Sequence, residues 1–412
     1  MSRSAHAAQR SHDAAWMVIA AGVAAALHVG KLSPALPVLR DALGVTLVQA
    51  GFLLSLVQLA GMTMGLAVGL TADSLGLRRS MISGLLLLTV ASLLGGWARN
   101  AETLLALRAV EGLGFLLVSM PAPSLIRQLV APERMSAMLG LWGAYMPLGT
   151  ASALLCGPLV IAWTGWASWW WILALLSLGM AWLVWLRVPP DHDRVRSGPQ
   201  AGLHAPEGWG RRLQHTLTSP GPWLVALSFA MYSGQWLAVI GFLPTIYAQS
   251  GMASGTSALL TALVAGVNMG GNIVSGRLLS RGVAPERLLY TGFTVMGLGA
   301  LLTFVAFPDA AFAGMPMPVR FFAVVFFSMV GGMIPGTLFS LAVRLAPGDG
   351  TVSTTVGWMQ QWASFGQFAG PPLVAWVASG AGGWHWTWVI TGSCSLVGIA
   401  LAARISGQLR RR

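Results

Sequence analysis

A segment needs about 20 consecutive apolar residues to cross the hydrocarbon core of a bilayer, and twelve stretches near that length run through this 412-residue chain. They fall at roughly 14–38, 46–70, 80–98, 103–126, 136–162, 168–187, 221–247, 255–279, 287–307, 316–342, 351–378 and 385–403. Lipid offers backbone N–H and C=O groups no partner, so only helices or closed barrels span it. The stretches lack the two-residue alternation of barrel strands, which predicts an all-α membrane protein with twelve transmembrane helices. With 55% hydrophobic and 9% charged residues, the chain has too little polar surface for a water-soluble globule.

The formal net charge of +12 raises the question of nucleic acid, and position answers it. Arg78 and Arg79, Arg127 and Arg134, Arg187, Arg194, Arg196, Arg211 and Arg212, Arg277, Arg281 and Arg287, Arg344 and the terminal arginines all fall on one side. Only Arg40 and Arg99 fall in turns on the other. This positive-inside asymmetry places both termini in the cytoplasm and makes the lipid bilayer, not nucleic acid, the large partner. Arginine-rich, lysine-poor usage points to a bacterial inner membrane. Trp163, Trp166, Trp169, Trp170 and Trp171, and then Trp384, Trp386 and Trp388, cluster where the fifth and sixth and the eleventh and twelfth spans turn; they read as an interfacial aromatic belt, the alternative being a stacking platform for ligand. Cys156 and Cys394 sit within apolar spans without metal-ligand spacing and read as small core residues. Neither a metal nor a cofactor is implied. The first apolar run exceeds a signal-peptide core and no cleavage site follows it.

The long polar segment 188–219, rich in Pro, Gly, Asp and Arg, divides the spans six and six. The expected organisation is an N-terminal half (1–187), a cytoplasmic linker (188–219) and a C-terminal half (220–412). The chain also matches itself: Trp16 with Trp223, Pro37 with Pro244, Gly69 with Gly276, Arg108 with Arg320, Gly157-Pro158 with Gly370-Pro371, and the run from Gly165 with that from Gly383. Six-helix repeats of the same orientation are related by an axis along the membrane normal and enclose a cavity between them.

Between the second and third spans stands Gly69-Leu-Thr-Ala-Asp73-Ser-Leu-Gly76-Leu-Arg78-Arg79. It resembles the signature loop of the major facilitator superfamily, G-x-x-x-D-x-x-G-x-[RK]-[RK]. The resemblance implies two pseudo-symmetric six-helix halves and makes Gly69, Asp73, Gly76, Arg78 and Arg79 gating residues that latch the cytoplasmic side. The second half carries Ser280 where Asp73 would fall, so the latch is expected to be asymmetric. On the fourth span, Arg108-Ala-Val-Glu111-Gly112-Leu-Gly114 resembles the superfamily pattern R-x-x-[QE]-G-x-G. At a spacing of three, Arg108 and Glu111 share a helix face and can pair, as a proton or substrate relay or as a structural pair. The stretch from Pro121 through Thr150 is locally similar to the cyanate and nitroimidazole transporter group.

The first span holds Lys31, the sole lysine beside 23 arginines, and His28 one turn earlier. A lysine kept where arginine usage prevails suggests that a compact ammonium is needed, lining the cavity, or else snorkelling to the interface. His28 reads as functional or as a packing histidine. It stands nine residues before Pro37, where many proton-coupled drug exporters carry an Asp. Arg320 faces the cavity or anchors the interface. Lys31, Arg108 and Arg320 against Glu111 leave the embedded set positive, which favours an anionic small-molecule substrate. Neutral candidates are Tyr145, Tyr232, Gln235, Asn268, Asn272, Gln360, Gln361 and Gln367, for substrate or for helix–helix bonding.

These readings point to a secondary carrier working by alternating access, importing a small organic or inorganic anion with protons. The alternative is a proton-coupled exporter of drugs or metabolites. No H-E-x-x-H, G-x-S-x-G or phosphate-binding loop is present, so neither an enzyme nor an ATP-driven pump is implied. A receptor with a transporter-like body would bind without flux.

Overall fold

The computed structural model describes residues 2–131, 138, 141–191, 209–306, 314–348 and 351–410. Among the described residues, eleven helices are long and apolar enough to cross a membrane: α1 (Asp13–Leu43), α2 (Leu47–Ala67), α3 (Leu77–Gly95), α4 (Ala101–Leu129), α5 (Tyr145–Thr164), α6 (Trp166–Arg187), α7 (Pro220–Gln249), α8 (Ser254–Ser280), α9 (Pro285–Phe304), α10 (Met317–Leu345) and, after α11, α12 (Trp384–Leu409). The remaining helix of this length, α11 (Val352–Gly380), carries Gln360, Gln361, Gln367 and two internal prolines. It is the least apolar span because it faces protein along much of its length. Twelve transmembrane helices in two six-helix halves result, and the described residues contain no strand. Large apolar side chains point outward, among them Leu175 (67% exposed), Trp376 (66%) and Leu396 (69%). That is the inverse of a water-soluble surface and suits a multi-pass membrane protein.

Several spans are broken near mid-length. In α1, two helical segments meet at Lys31. Pro34 and Pro37 lack an N–H, so the carbonyls four residues earlier lose their helical partners. The α2 helix passes through a 3-10 turn at Leu56–Gln58. In α8 the segments part at Val267, and in α10 at Gly332. Breaks of this kind are tolerated in lipid where neighbouring groups re-satisfy the backbone.

The halves meet along α2 and α11, where Gln58 Nε2 donates to Gln367 Oε1 (2.7 Å) and Leu66 N donates to Gln361 Oε1 (3.1 Å). On the face away from the chain termini, the α1 segment Leu32–Leu43 packs on α7, and the α8 segment Ser254–Gly266 packs on α5. On the terminal side the corresponding segments, up to Gly30 and from Asn268, have little contact with the other half among the described residues. Among the described residues the halves are therefore in wider contact on the distal face than on the terminal face, where α2 and α11 still touch.

Two expectations are corrected. Cys156 is exposed on the lipid-facing side of α5, and Cys394 is only half-buried; an apolar span buries one stripe and leaves the rest to lipid. Trp169 (3% exposed) and Trp170 (1%) lie inside the N-terminal half and form no part of an interfacial belt, whereas Trp163 (85%) is fully outward.

Helices α7 and α11 cross so closely that a Cβ at Gly234 would stand 2.7 Å from the Gly366 carbonyl oxygen. Gly234→Leu is expected to destabilise by about 1–3 kcal/mol, the usual cost of overpacking, and to lower the thermal midpoint in detergent. Gly255→Leu, with nothing within 4 Å of the position, should leave it unchanged.

Candidate functional site

The break in α1 brings its backbone to α4 and α6. Arg108, 2% exposed, extends from α4 and stitches two other helices. Its Nε donates to the Leu53 carbonyl of α2 (3.0 Å), one Nη to the Val29 carbonyl (3.1 Å), and the other to the His28 carbonyl and to Glu111 Oε2 (2.7 Å). Leu53 lies just before the 3-10 turn of α2. Glycine at 112 allows this approach: a Cβ there would stand 2.5 Å from the Val57 carbonyl oxygen. The fourth-span motif is thus one device, with Arg108 bonding the broken backbones and Gly112 admitting them.

Glu111, equally buried, shares its carboxylate between Arg108 on Oε2 and Lys31 on Oε1. Lys31 is wholly buried. Its ammonium also donates to Ser92 Oγ of α3 (2.9 Å) and lies 3.4 Å from His28 Nδ1, with the Trp170 ring 4.8 Å away at its centroid. The Lys31 carbonyl, at the break itself, accepts from Trp169 Nε1 (3.3 Å). On the other side of the imidazole, His28 Nε2 is 2.7 Å from Ser177 Oγ of α6, and Nδ1 is 3.7 Å from Glu111 Oε1. Two fixed cations, one carboxylate and one imidazole therefore occupy a dry space where α1, α3, α4 and α6 converge. Unpaired, each ion would be costly in lipid; together they neutralise and solvate one another.

Sequence reasoning named His28, Lys31, Arg108 and Glu111, and the fold brings these four together. The other candidates lie elsewhere. Tyr145 stacks on Trp142 (4.1 Å between centroids) at the start of α5. Gln235 is buried within the C-terminal half, its amide donating to the Met231 carbonyl and accepting from Ser395 Oγ (3.1 Å). Gln361 lies on the seam with α2. Arg320 is half-buried in the first turn of α10, against Gly314 on the distal face. Tyr232 and Asn268 hydrogen-bond each other (3.0 Å), and Asn268 also donates to the Ser328 carbonyl (2.8 Å), bonding α7, α8 and α10. In the signature loop, the surroundings of Gly69 and the side chain of Asp73 lie outside what the structure describes. Gly76 turns the chain at φ 86°, and the backbone N–H groups of Arg78 and Arg79 donate to the Asp191 carboxylate (3.0 and 3.3 Å). Arg78 also donates through its guanidinium to the Trp185 carbonyl at the end of α6.

Ser92, Ser177, Trp169, Trp170 and Asp191 were not anticipated as partners. A signal existed for Ser177. It stands twelve residues after Gly165, as Ser395 stands twelve after Gly383, while His28 and Gln235 each stand nine before the matched prolines. The repeat thus places one hydrogen bond twice, imidazole to serine in one half and amide to serine in the other.

The sequence model of the Major Facilitator Superfamily matches residues 17–365. The chain belongs to this superfamily. The carrier is 23% identical over 320 residues to the cyanate transport protein CynX of Escherichia coli, covering 77% of this chain and 76% of that one. It is 24% identical to the puromycin resistance protein pur8 of Streptomyces alboniger, covering 89% and 81%. Among solved structures, a bacterial homologue of the human lysosomal transporter Spinster, in an inward-facing and occupied conformation, superposes with a TM-score of 0.77 at 14% identity, over 95% of this chain and 96% of that one. Membership of this superfamily makes the chain a membrane transporter.

Arg108→Lys replaces a planar fork by one ammonium that cannot reach three carbonyls and Glu111 together. Each buried acceptor left unpaired costs roughly 1–3 kcal/mol, so thermal unfolding should occur well below the wild-type midpoint. Arg320→Lys, on the distal face, should shift it little.

Proposed function

We propose that this carrier imports a small anion together with a proton, and that Lys31 is the anion's contact. The observation carrying this reading is the buried pairing of the sole lysine with Glu111 beside a neutral-capable imidazole. With His28 uncharged, Lys31, Arg108 and Glu111 leave the site one positive charge in excess. Arg108 has its donors engaged with backbone and Glu111, which suits a positioning residue. Lys31 holds its place chiefly through Glu111. A proton arriving on Glu111, or on His28 Nδ1 so that the imidazolium takes over as Glu111's partner, loosens Lys31 and leaves its ammonium for an anion. Loss of the proton returns Lys31 to Glu111 and releases the anion. Because Lys31 stands at the break in α1, this exchange sits where the helix can bend as one half rocks against the other.

The remaining assignments follow the same reading. The halves are 1–187 and 220–412 with 188–219 as linker, the membrane is a bacterial inner membrane, and both termini are cytoplasmic. The terminal face, where the halves touch less, is then the inward side, in keeping with the likeness to an inward-facing carrier. The signature loop latches that side when the halves close. Proton-coupled drug export is the second reading, favoured by similarity to the puromycin resistance protein and to the methylenomycin A resistance protein of Bacillus subtilis. The latter is 31% identical over 37% of this chain and 32% of that protein.

Purified carrier in liposomes tests this with a panel of labelled small anions, with and without an inward proton gradient. The expected result is gradient-driven uptake of an anion that falls roughly 30- to 150-fold in Lys31→Ala, the loss matching about 2–3 kcal/mol for a hydrogen bond to a charged group. Transport of neutral or cationic drugs but no anion, or unchanged transport in Lys31→Ala, would replace it with the export reading.

A further inference from the structure

On the distal face, where the α1 segment Leu32–Leu43 packs on α7, the two halves leave an open cavity of about 430 Å³ between them. One wall is the last turn of α1 with the bend at Gly44, where φ is 63°, and the other is the last turn of α7. The cavity shares no residue with the cluster around Glu111. Two residues that border it carry enclosed polar atoms with no hydrogen-bond partner among the described residues. They are the Thr245 hydroxyl, in a residue only 2% exposed, and Nε of the half-buried Arg40. A threonine in a helix can return its hydroxyl to a carbonyl one turn back, as Thr303 does to Gly299 (2.7 Å) and Thr337 to Met333 (2.8 Å). Thr245 does not. A buried polar group left unsatisfied is costly, so these two atoms mark a place for groups from outside the chain.

The charges at the cavity are also unmatched. Arg40 and the exposed Asp41 both border it, and neither forms an ion pair among the described residues. Consecutive residues on a helix point about 100° apart and do not face each other, so the two charges stay separate on one wall. An anion alone would satisfy Arg40 and be repelled by Asp41, and a cation alone would reverse this. Gln249 adds a donor: its Oε1 accepts from Trp384 Nε1 (2.7 Å), which leaves its NH2 group uncommitted. Pro37 and Val45 complete the lining with short apolar side chains, which suits a ligand with a small apolar part. We propose that this cavity binds a small zwitterion of the α-amino acid class. Its carboxylate takes the donors of Arg40 and Thr245, with a charge-assisted bond to the guanidinium, and its ammonium is set against Asp41. Because α1 and α7 each supply part of the wall, the site is complete only where the halves meet on this face.

Thermal unfolding of the full-length carrier in detergent, with glycine titrated at constant ionic strength, tests the assignment. The midpoint should rise and saturate with glycine, while acetate and methylammonium, each carrying one of its charges, should raise it far less at the same concentration. Arg40→Gln and Asp41→Asn should each raise the half-saturating glycine concentration roughly tenfold or more, as loss of a hydrogen bond to a charged group implies. Thr245→Val, which removes the orphaned hydroxyl at nearly constant volume, should unfold at or above the wild-type midpoint without ligand yet respond more weakly to glycine. Arg99→Gln, exposed on the same face and outside the cavity, should respond as the wild type does. No rise with glycine, a rise that does not saturate, or one that survives in full in Arg40→Gln would overturn the proposal, the last two being general osmolyte stabilisation. An equal saturable rise with acetate or with methylammonium would make this a site for a single charge and overturn the zwitterion.

Discussion

The N-terminal half is organised around one buried carboxylate. Glu111 stands between Lys31 and Arg108, and every other polar contact of the cluster follows from keeping those charges in a space that excludes water. An isolated ion there would cost several kcal/mol. The pairing removes most of that cost and fixes geometry: the guanidinium plane must reach Leu53, His28 and Val29 carbonyls, so α1 and α2 are held at the points where their helices break. The polar chemistry and the backbone irregularity are therefore a single feature. Neither would be stable in lipid without the other.

Repetition within the chain separates architecture from specialisation. The bond between first and sixth helices recurs, as His28 with Ser177 and as Gln235 with Ser395. An amide is sufficient for packing, so the imidazole adds a capacity to carry a proton that packing does not require. Arg108 recurs as Arg320, but at the membrane face without a carboxylate three residues on. In the first pair the ionisable imidazole stands in one half only, and in the second the arginine is kept while its carboxylate partner is not. A carrier whose buried ion cluster lies within one half can rock the two bodies without breaking those pairs, and the polar side-chain contacts described at the seam are between amides and backbone.

Helix number, span positions and the two-half organisation were legible because a bilayer imposes length and polarity on each segment independently of its neighbours. The buried set of four ionisable residues was legible for the same reason: intramembrane charge is too costly to be incidental. What the sequence concealed depends on packing direction. Trp169 and Trp170 look identical in sequence to their interfacial neighbours, yet one turn of α6 points them inward to the Lys31 carbonyl and ring face. Gln235 and Gln361 are polar residues in apolar spans, and only the helix faces assign them to bundle interior and seam. Cys156 looked like a core residue because apolar composition does not distinguish lipid from protein as a neighbour. Asp191 sits in polar linker sequence with no periodicity to mark it, and its role emerges only when the end of α6 meets the start of α3.

The interaction on which this account rests is the coupling of Lys31 to Glu111, and a double-mutant cycle measures it directly. Thermal or chemical unfolding of the purified carrier would be compared for wild type, Lys31→Met, Glu111→Gln and the combined variant. Removing one partner of a buried ion pair costs about 3–5 kcal/mol because the other charge is left uncompensated. The expected result is that both single variants are strongly destabilised and the combined variant is much more stable than the sum of their losses implies. Additive losses, or singles indistinguishable from wild type, would contradict the buried pair.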